Sequence, residues 1–276
     1  MTDLLLLAFA MLATGAIGGV LAGLLGIGGG IVIVPVLDAA LQFLGTEPSI
    51  RMHVAVATSL ATIIPTSLAS SRAHYRRDSV DVPLVRRWAP FVLVGSIAGT
   101  WIASRVDSSV LSAVFATVAF IIGVKLVLPM HDRRLTPDVP RGWLIGGVPL
   151  TIGAVSSMMG IGGGTLSVAA LTLFNQPIHR AVGTAALFGL VIALPGTAGF
   201  MLAGYGDTRL PPGSVGYVNL VGFALISPTT VLAAPLGAAI AHRLTQRRLS
   251  ALFGLFLLTM SFRMAWQALG VSCPAG

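Results

Sequence analysis

Long apolar stretches separated by short charged segments dominate the chain. A membrane helix needs about 20 predominantly apolar residues, so the shorter charge-free stretches hold one crossing and the longer ones hold two. Ten hydrophobic segments result, at residues 4–25, 26–44, 51–71, 88–105, 109–129, 142–159, 160–175, 180–203, 215–241 and 249–270. The pattern predicts an all-α integral membrane protein that crosses the bilayer many times.

Composition supports this prediction and narrows the chemistry. Hydrophobic residues make up 55% of the 276 residues and charged residues only 9%, whereas soluble domains carry about 25% charged residues. The single cysteine, Cys273, excludes an internal disulfide and a cysteine-based zinc site or iron–sulfur cluster. We expect no cofactor and no bound metal, and no nucleic-acid partner.

The chain contains an internal repeat. Ala22–Gly30 resembles Ser156–Gly164, and further along His53–Thr58 resembles His179–Thr184. Weaker matches continue to the end of each half. The repeat predicts a first membrane unit over residues 1–129, a linker over 130–141 and a second unit over 142–276, each with about five hydrophobic segments.

Arginine-rich loops predict the orientation. Short cytoplasmic loops of membrane proteins carry the excess of Lys and Arg. We therefore expect a protein of the cell membrane (inner membrane) whose loops 72–87, 130–141 and 242–248 lie in the cytoplasm. The loops that are equivalent to them in the repeat are poor in charge. A unit with an odd number of segments inverts when it is duplicated. Inverted repeats with interrupted helices are typical of secondary transporters, although duplication could also simply build a large helical bundle.

The Gly-Ile-Gly-Gly-Gly runs predict breaks within the apolar segments, because glycine is costly in a helix interior. Broken or re-entrant backbone at membrane depth must be buried or line a cavity, and a helix that starts after each break would direct unpaired N–H groups at an anion. Close helix packing is the alternative role of such glycines. The candidate anion ligands in the two runs are Gly26, Gly28, Gly29 and Gly30, and Gly160, Gly162, Gly163 and Gly164.

Neither glycine run resembles a nucleotide-binding loop or belongs to an enzyme site. No Lys-Ser or Lys-Thr follows either run, as a phosphate loop requires. The predicted spans also lack a zinc-binding His pair and a close pair of carboxylates. We therefore expect a protein that is not an enzyme.

Other polar residues in the spans are candidates for binding or coupling. Thr58, Ser59 and Thr184 are hydroxyl donors for an anion, although such residues in membrane helices often bond to their own backbone. A second group, listed here, are candidate coupling or gating residues because intramembrane titratable groups are functional hypotheses by default: His53, His179, Lys125, Arg263 and Asp38. Capping or snorkelling at the interface is the alternative for the basic members.

Several motifs occur together in the chain: Gly23–Gly30 with Pro35, His53–Ser59, Gly160–Gly164, Ala181–Thr184, Gly216–Asn219, and Pro235–Ala238 with Arg243. In combination they resemble the TauE/SafE family of sulfite and organosulfonate permeases. The second half departs from the first where Pro35 and Ser59 become Ala169 and Ala185. The two half-sites therefore need not contribute equally.

The resemblance implies secondary transport of a small sulfur-containing oxyanion, commonly sulfite export, without ATP. Import of an organosulfonate or small carboxylate is the alternative. A hypothesis from a different functional class is a membrane scaffold that transports nothing. The expected partners are the anion, the lipid bilayer and a proton if transport is proton-coupled. The sequence does not indicate an oligomeric state.

Overall fold

The computed structural model describes residues 9, 11–20, 29–128, 144–174, 176–241 and 246–268. Gly26, Gly28 and the 130–141 linker lie outside the described residues, as do the side chains of 242–248. The described residues form ten helices in chain order: α1 Met11–Val20, α2 Gly30–Phe43, α3 Pro48–Tyr75, α4 Val82–Ala103, α5 Ser108–Val127, α6 Leu144–Met159, α7 Gly164–Leu173, α8 Ile178–Ala203, α9 Leu220–Ala241 and α10 Gln246–Ala268. The protein is thus all-α, as the hydrophobic pattern predicted.

One predicted segment starts differently. Residues 215–241 were expected to be one hydrophobic segment, but a short antiparallel hairpin of β1 (Ser214–Val215) and β2 (Val218–Asn219) precedes α9. Gly216, with φ of 53°, allows the tight turn between the strands. The Asn219 side chain then accepts a hydrogen bond from the Gly222 N–H at 2.7 Å and so caps α9, as asparagine commonly does.

Helix length separates crossing helices from partial ones. Among the described residues, α3, α5 and α8 are long and apolar enough to cross a membrane by themselves. The 14 residues of α2 and the 10 of α7 extend only about 21 Å and 15 Å at 1.5 Å per residue. Neither reaches across the roughly 30 Å hydrocarbon core, so the helix that begins after each glycine run is too short for a full crossing.

The outer surface carries large apolar side chains. Ile121, Leu202 and Phe262 are exposed by 60%, 78% and 71%. Soluble monomers rarely expose such surface over large areas, whereas in a membrane protein it contacts lipid. Inside, the stacked rings of Trp88 and Phe188, 6.1 Å apart, are fully buried between α4 and α8.

Corresponding helices of the two halves pack against each other in opposite directions. Leu60 of α3 lies at Gly196 of α8, whereas Ser67 lies at Gly189. The last helices of each half behave in the same way: Gly123 of α5 lies against Gly254 of α10, and the Ser261 hydroxyl donates to the Ala116 carbonyl at 2.8 Å. Both pairs are therefore antiparallel.

The halves also exchange contacts. The first helix of one half packs on the fourth helix of the other: α1 contacts α9 at Gly15 and Gly19, and α6 contacts α4 at Gly95 and Gly99. A side chain at any of these glycines would overlap the backbone of the neighbouring helix. Small residues at these positions allow the close approach that stabilises helix pairs in membranes.

Two threonines repeat this exchange. The Thr58 hydroxyl accepts a hydrogen bond from the Asn219 N–H at 2.9 Å, where α9 begins. The Thr184 hydroxyl accepts one from the Asp81 N–H at 3.0 Å, where α4 begins. Each half thus supplies a buried acceptor to the cap of the other half's fourth helix.

Candidate functional site

The two glycine runs end in the same backbone conformation. Gly29 has φ 69° and ψ −15°, and Gly163 has φ 68° and ψ −8°. Both angles lie in the left-handed region that favours glycine, and α2 and α7 begin at the next residue. Among the described residues, no side chain caps either helix, so the first N–H groups of each have no side-chain capping partner there.

The start of α2 touches the second glycine run. A Cβ at Gly30 would lie 2.6 Å from the Gly160 carbonyl oxygen, too close for any side chain. The Ser59 hydroxyl of α3 donates to the same carbonyl at 2.8 Å. Three residues predicted from the sequence to be anion ligands therefore lie together between the two halves: Gly30, Ser59 and Gly160.

The second run is enclosed by the long helices. A Cβ at Gly162 would overlap Ile63, and one at Gly163 would overlap Ile192. Ile63 lies near the middle of α3 and Ile192 near the middle of α8. The second break thus lies near the midpoint of the two longest helices, far from either end.

Thr58 and Thr184 do not come together. The neighbour of Thr184 on α8, Gly183, lies against His74 of α3, with its Cβ position 3.1 Å from the His74 Cβ. Thr58 lies sixteen residues earlier in the same helix, which corresponds to about 24 Å along its axis. One small anion cannot contact both hydroxyls in this conformation.

Three hydroxyls near the second break were not singled out from the sequence. The Oγ atoms of Ser156 and Ser167 and the Oγ1 atom of Thr165 are buried and have no hydrogen-bond partner among the described residues. Their signal in the sequence was the repeat itself, because Ala22, Ile31 and Ile33 occupy the equivalent positions of the first half.

Asp38 belongs to an ion cluster. Its side chain is 2% exposed and accepts a hydrogen bond from Arg51 Nε at 2.8 Å. Arg263 Nη2 lies 3.8 Å from the other carboxylate oxygen, and Arg263 Nη1 donates to the Pro35 carbonyl. A cavity of about 300 Å³ opens beside Asp38 and Arg51.

His53 lies in a set of acceptors at the start of α3. Its Nε2 is 3.1 Å and 3.0 Å from the carbonyl oxygens of Ala103 and Val106. Its Nδ1 is 3.2 Å from the Ser108 hydroxyl, which itself donates to the Ser49 carbonyl at 2.7 Å. Because carbonyl oxygens only accept hydrogen bonds, Nε2 carries a proton in this arrangement.

The remaining candidate cations lie at the surface. His179 and Lys125 are exposed, as an interfacial or snorkelling role requires. The arginines of the 72–87 loop are also exposed: Arg72, Arg76, Arg77, Arg86 and Arg87.

Two open cavities flank the level of the second break along α8. One, of about 420 Å³, is lined by Ser71, Arg72 and Leu187 among others. The other, of about 520 Å³, is lined by Thr100, Arg105 and Gly199 among others. Ile192 lies between these two levels of α8 and is fully buried.

Comparison with known proteins places the chain in a family. The family profile described as "Sulfite exporter TauE/SafE" matches residues 11–264. A "Probable membrane transporter protein" of Haemophilus influenzae is 33% identical over 255 residues, which cover 92% of this chain and 96% of the relative. The "Probable membrane transporter protein YunE" of Bacillus subtilis is 25% identical over 283 residues, covering 94% and 97%.

A "Probable membrane transporter protein" of Methanocaldococcus jannaschii is 25% identical over 243 residues, covering 85% of this chain and 84% of the relative. No solved structure gives a significant match. The apolar helices and these relatives identify a multi-pass membrane transporter rather than an enzyme. The chain belongs to the sulfite exporter TauE/SafE family.

Proposed function

We propose that this protein is a secondary transporter that exports a small sulfur-containing oxyanion, with sulfite as the first candidate, by alternating access. The observation that carries the proposal is the pair of uncapped helix starts after Gly29 and Gly163, each following a glycine run within an apolar region. Helix N-termini bind anions through free N–H groups and the positive end of the helix dipole.

The distribution of carboxylates favours an anion over a cation as substrate. Among the Asp and Glu residues that the structure describes, Asp38 alone lies within a helix. That carboxylate already faces Arg51. A transporter of metal cations or amines would need carboxylates along its path, since a buried cation must be paired.

The two halves, 1–129 and 142–276 joined by the linker 130–141, form an inverted repeat in this proposal. The antiparallel pairing of α3 with α8 and of α5 with α10 supports opposite orientations. The two cavities on either side of Ile192 support access from both membrane faces. Movement of one half against the other would open the central site alternately to each side.

Coupling to a proton or to the membrane potential gives the transport its direction. Asp38 and His53 are the buried titratable groups available for it. His179, Lys125 and Arg263 lie nearer the surface of the protein and are assigned to gating or orientation. The arginine-rich loops 72–87, 130–141 and 242–248 face the cytoplasm in this proposal.

Sulfite flux into proteoliposomes tests the proposal under an imposed pH gradient, beside a panel of methanesulfonate, taurine, sulfate, acetate and chloride. We expect saturable sulfite movement, and we expect Gly162→Leu to abolish it because the leucine would overlap Ile63. Gly206→Asn is the control, since Gly206 is left-handed with open space around it and asparagine tolerates that conformation.

Movement of methanesulfonate or acetate without sulfite would favour the organosulfonate or carboxylate importer. If no anion of the panel moves through correctly folded protein, transport of a small anion is the wrong function. Normal sulfite flux in Gly162→Leu would remove the second glycine run from the site.

A further inference from the structure

The start of α7 combines unpaired N–H groups with unpaired hydroxyls. A Cβ placed at Gly163 would lie 3.6 Å from Ser167 Oγ and 3.7 Å from Ser156 Oγ, so both oxygens flank the N-cap of α7. Both serines are fully buried, and Thr165, in the first turn, is 7% exposed. None of the three side-chain oxygens has a hydrogen-bond partner among the described residues.

Leaving three buried hydroxyls unpaired is unfavourable. Each unsatisfied buried polar group costs free energy, and native proteins hold only a few of them, generally with a specific reason. The neighbouring hydroxyls show the ordinary arrangement: Ser157 donates to the Ala154 carbonyl, and Thr172 donates to carbonyls of its own helix. Two further buried hydroxyls also lack a partner among the described residues, those of Thr100 on α4 and Thr197 on α8, but the other three are grouped on α6 and α7 around the start of α7.

The first half lacks this set. Ile31 and Ile33 occupy the positions equivalent to Thr165 and Ser167, and each is 1% exposed in the apolar core. The backbone starts of α2 and α7 are alike, but the side chains around them differ in polarity. The two glycine breaks are therefore not chemically equivalent.

We propose that the substrate anion binds on one side of the repeat only, at the start of α7, with Ser156, Thr165 and Ser167 as side-chain donors. This inference rests on the proposed function, because it assigns the site of the same transported anion. The start of α2 then acts as a packing element against Gly160 rather than as a second anion site.

The chemistry of the site also selects among oxyanions. Hydroxyls and backbone N–H groups donate to the oxygens of sulfite or of a sulfonate head group. The helices α3, α4, α6, α7 and α8 contain no Asp or Glu. A zwitterion such as taurine would therefore bury its ammonium group without a counter-charge, which is strongly unfavourable.

Equilibrium binding of [³⁵S]sulfite to the purified full-length chain in detergent tests the assignment, with flux measured in parallel. We expect Thr165→Val and Ser167→Ala each to weaken sulfite binding about tenfold or more, the usual effect of removing a hydrogen bond to a charged group. Ser156→Ala should act in the same direction.

Ser157→Ala and Thr172→Val are matched controls. Ser157 lies beside Ser156 on α6, and Thr172 lies on α7 with Thr165 and Ser167. Each of the two hydroxyls donates to a backbone carbonyl of its own helix. We expect both to stay within twofold of wild type. Methanesulfonate should compete with sulfite, and taurine should not.

The outcomes separate this inference from the proposed function. In one outcome, transport and sulfite binding both stay at the wild-type level in Thr165→Val, in Ser167→Ala and in their double variant. That result would overturn the proposed site but leave the transport function standing. The hydroxyls would then be assigned to binding a structural water. Competition by taurine equal to that of methanesulfonate would overturn the selectivity. If the wild type moves no anion of the panel, the proposed function itself fails.

Discussion

At the scale of single residues, Asp38 is a buried carboxylate that forms an ion pair. The carboxylate is almost fully buried, and Arg51, exposed by 14%, is its hydrogen-bonded partner. Arg263 approaches from the last helix. The charges therefore stabilise one another as a cluster that joins α2, α3 and α10.

Removing one partner of this pair should destabilise the protein more than removing both. Asp38→Ala leaves Arg51 without its acceptor, and we expect a loss of about 3–5 kcal/mol, the usual cost of breaking a buried pair. Asp38→Ala/Arg51→Met should recover much of that loss, because no uncompensated charge remains apart from the more exposed Arg263. Thermal unfolding in detergent measures all four proteins of the double-mutant cycle.

The same cycle separates structure from coupling. In proteoliposomes, the double variant should fold and still fail to respond to a pH gradient if Asp38 accepts the coupling proton. A double variant with normal stimulation by the gradient would leave Asp38 a structural role alone. Additive stability losses in the cycle would contradict the pairing.

At the scale of elements, the glycine break before α7 depends on two separate properties of Gly163. Its φ of 68° is left-handed, a conformation that costs other residues about 1–2 kcal/mol. Its Cβ position is also occupied by Ile192. Gly45 has a similar φ of 70° but nothing within 4 Å of its Cβ position.

Asparagine at these two glycines should separate backbone conformation from space. Gly45→Asn should change the unfolding midpoint little, because asparagine adopts left-handed backbone readily. Gly163→Asn should destabilise the protein by at least about 2 kcal/mol, in the range of overpacked cores, and should stop transport. Equal effects of the two substitutions on thermal unfolding would show that the crowding at Ile192 is unimportant.

The sequence predicted the elements well because their causes are local. Charge-free length located all ten segments, and the glycine runs located the starts of α2 and α7. The hairpin before α9 was missed because Val215 and Val218 read as part of an apolar span, while the turn at Gly216 is a single-residue signal.

Side-chain partners were harder to predict because they depend on tertiary contacts. Thr58 and Thr184 are equivalent in the repeat, yet antiparallel packing separates them along α3 and α8. The Ser167 hydroxyl has no partner among the described residues, which depends on how α7 is enclosed. Spacing along one chain contains neither fact, although the repeat places Ser167 opposite Ile33.

At the scale of the whole molecule, the exchanged contacts join the two halves. Each half caps the fourth helix of the other through Thr58 or Thr184, and first helices pack on fourth helices across the repeat. The halves cannot separate without breaking these contacts. For the proposed alternating access we therefore expect a rotation or sliding of packed helices, with the glycine breaks as the points that change conformation.

An inverted repeat makes a specific prediction about the two membrane faces. The arginine-rich end of α3 and the loop after α8 are equivalent in the repeat, so inversion places them on opposite sides. In the loop after α8, Arg209 donates hydrogen bonds to Asp207 that lower the pKa of the Asp207 carboxyl. Thr208, between these two residues, is exposed. Ala73, near the arginine-rich end of α3, is also exposed.

Single cysteines at these positions, introduced after Cys273→Ser, should react differently with a membrane-impermeant maleimide. In intact cells we expect Thr208→Cys to be labelled and Ala73→Cys to be protected until the membrane is permeabilised, because the excess of arginine predicts a cytoplasmic position for the loop that follows Ala73. Labelling of both cysteines from outside would rule out the inverted arrangement. Any alternating access would then have to use parallel halves related by an axis along the membrane normal, instead of the inverted halves of this proposal.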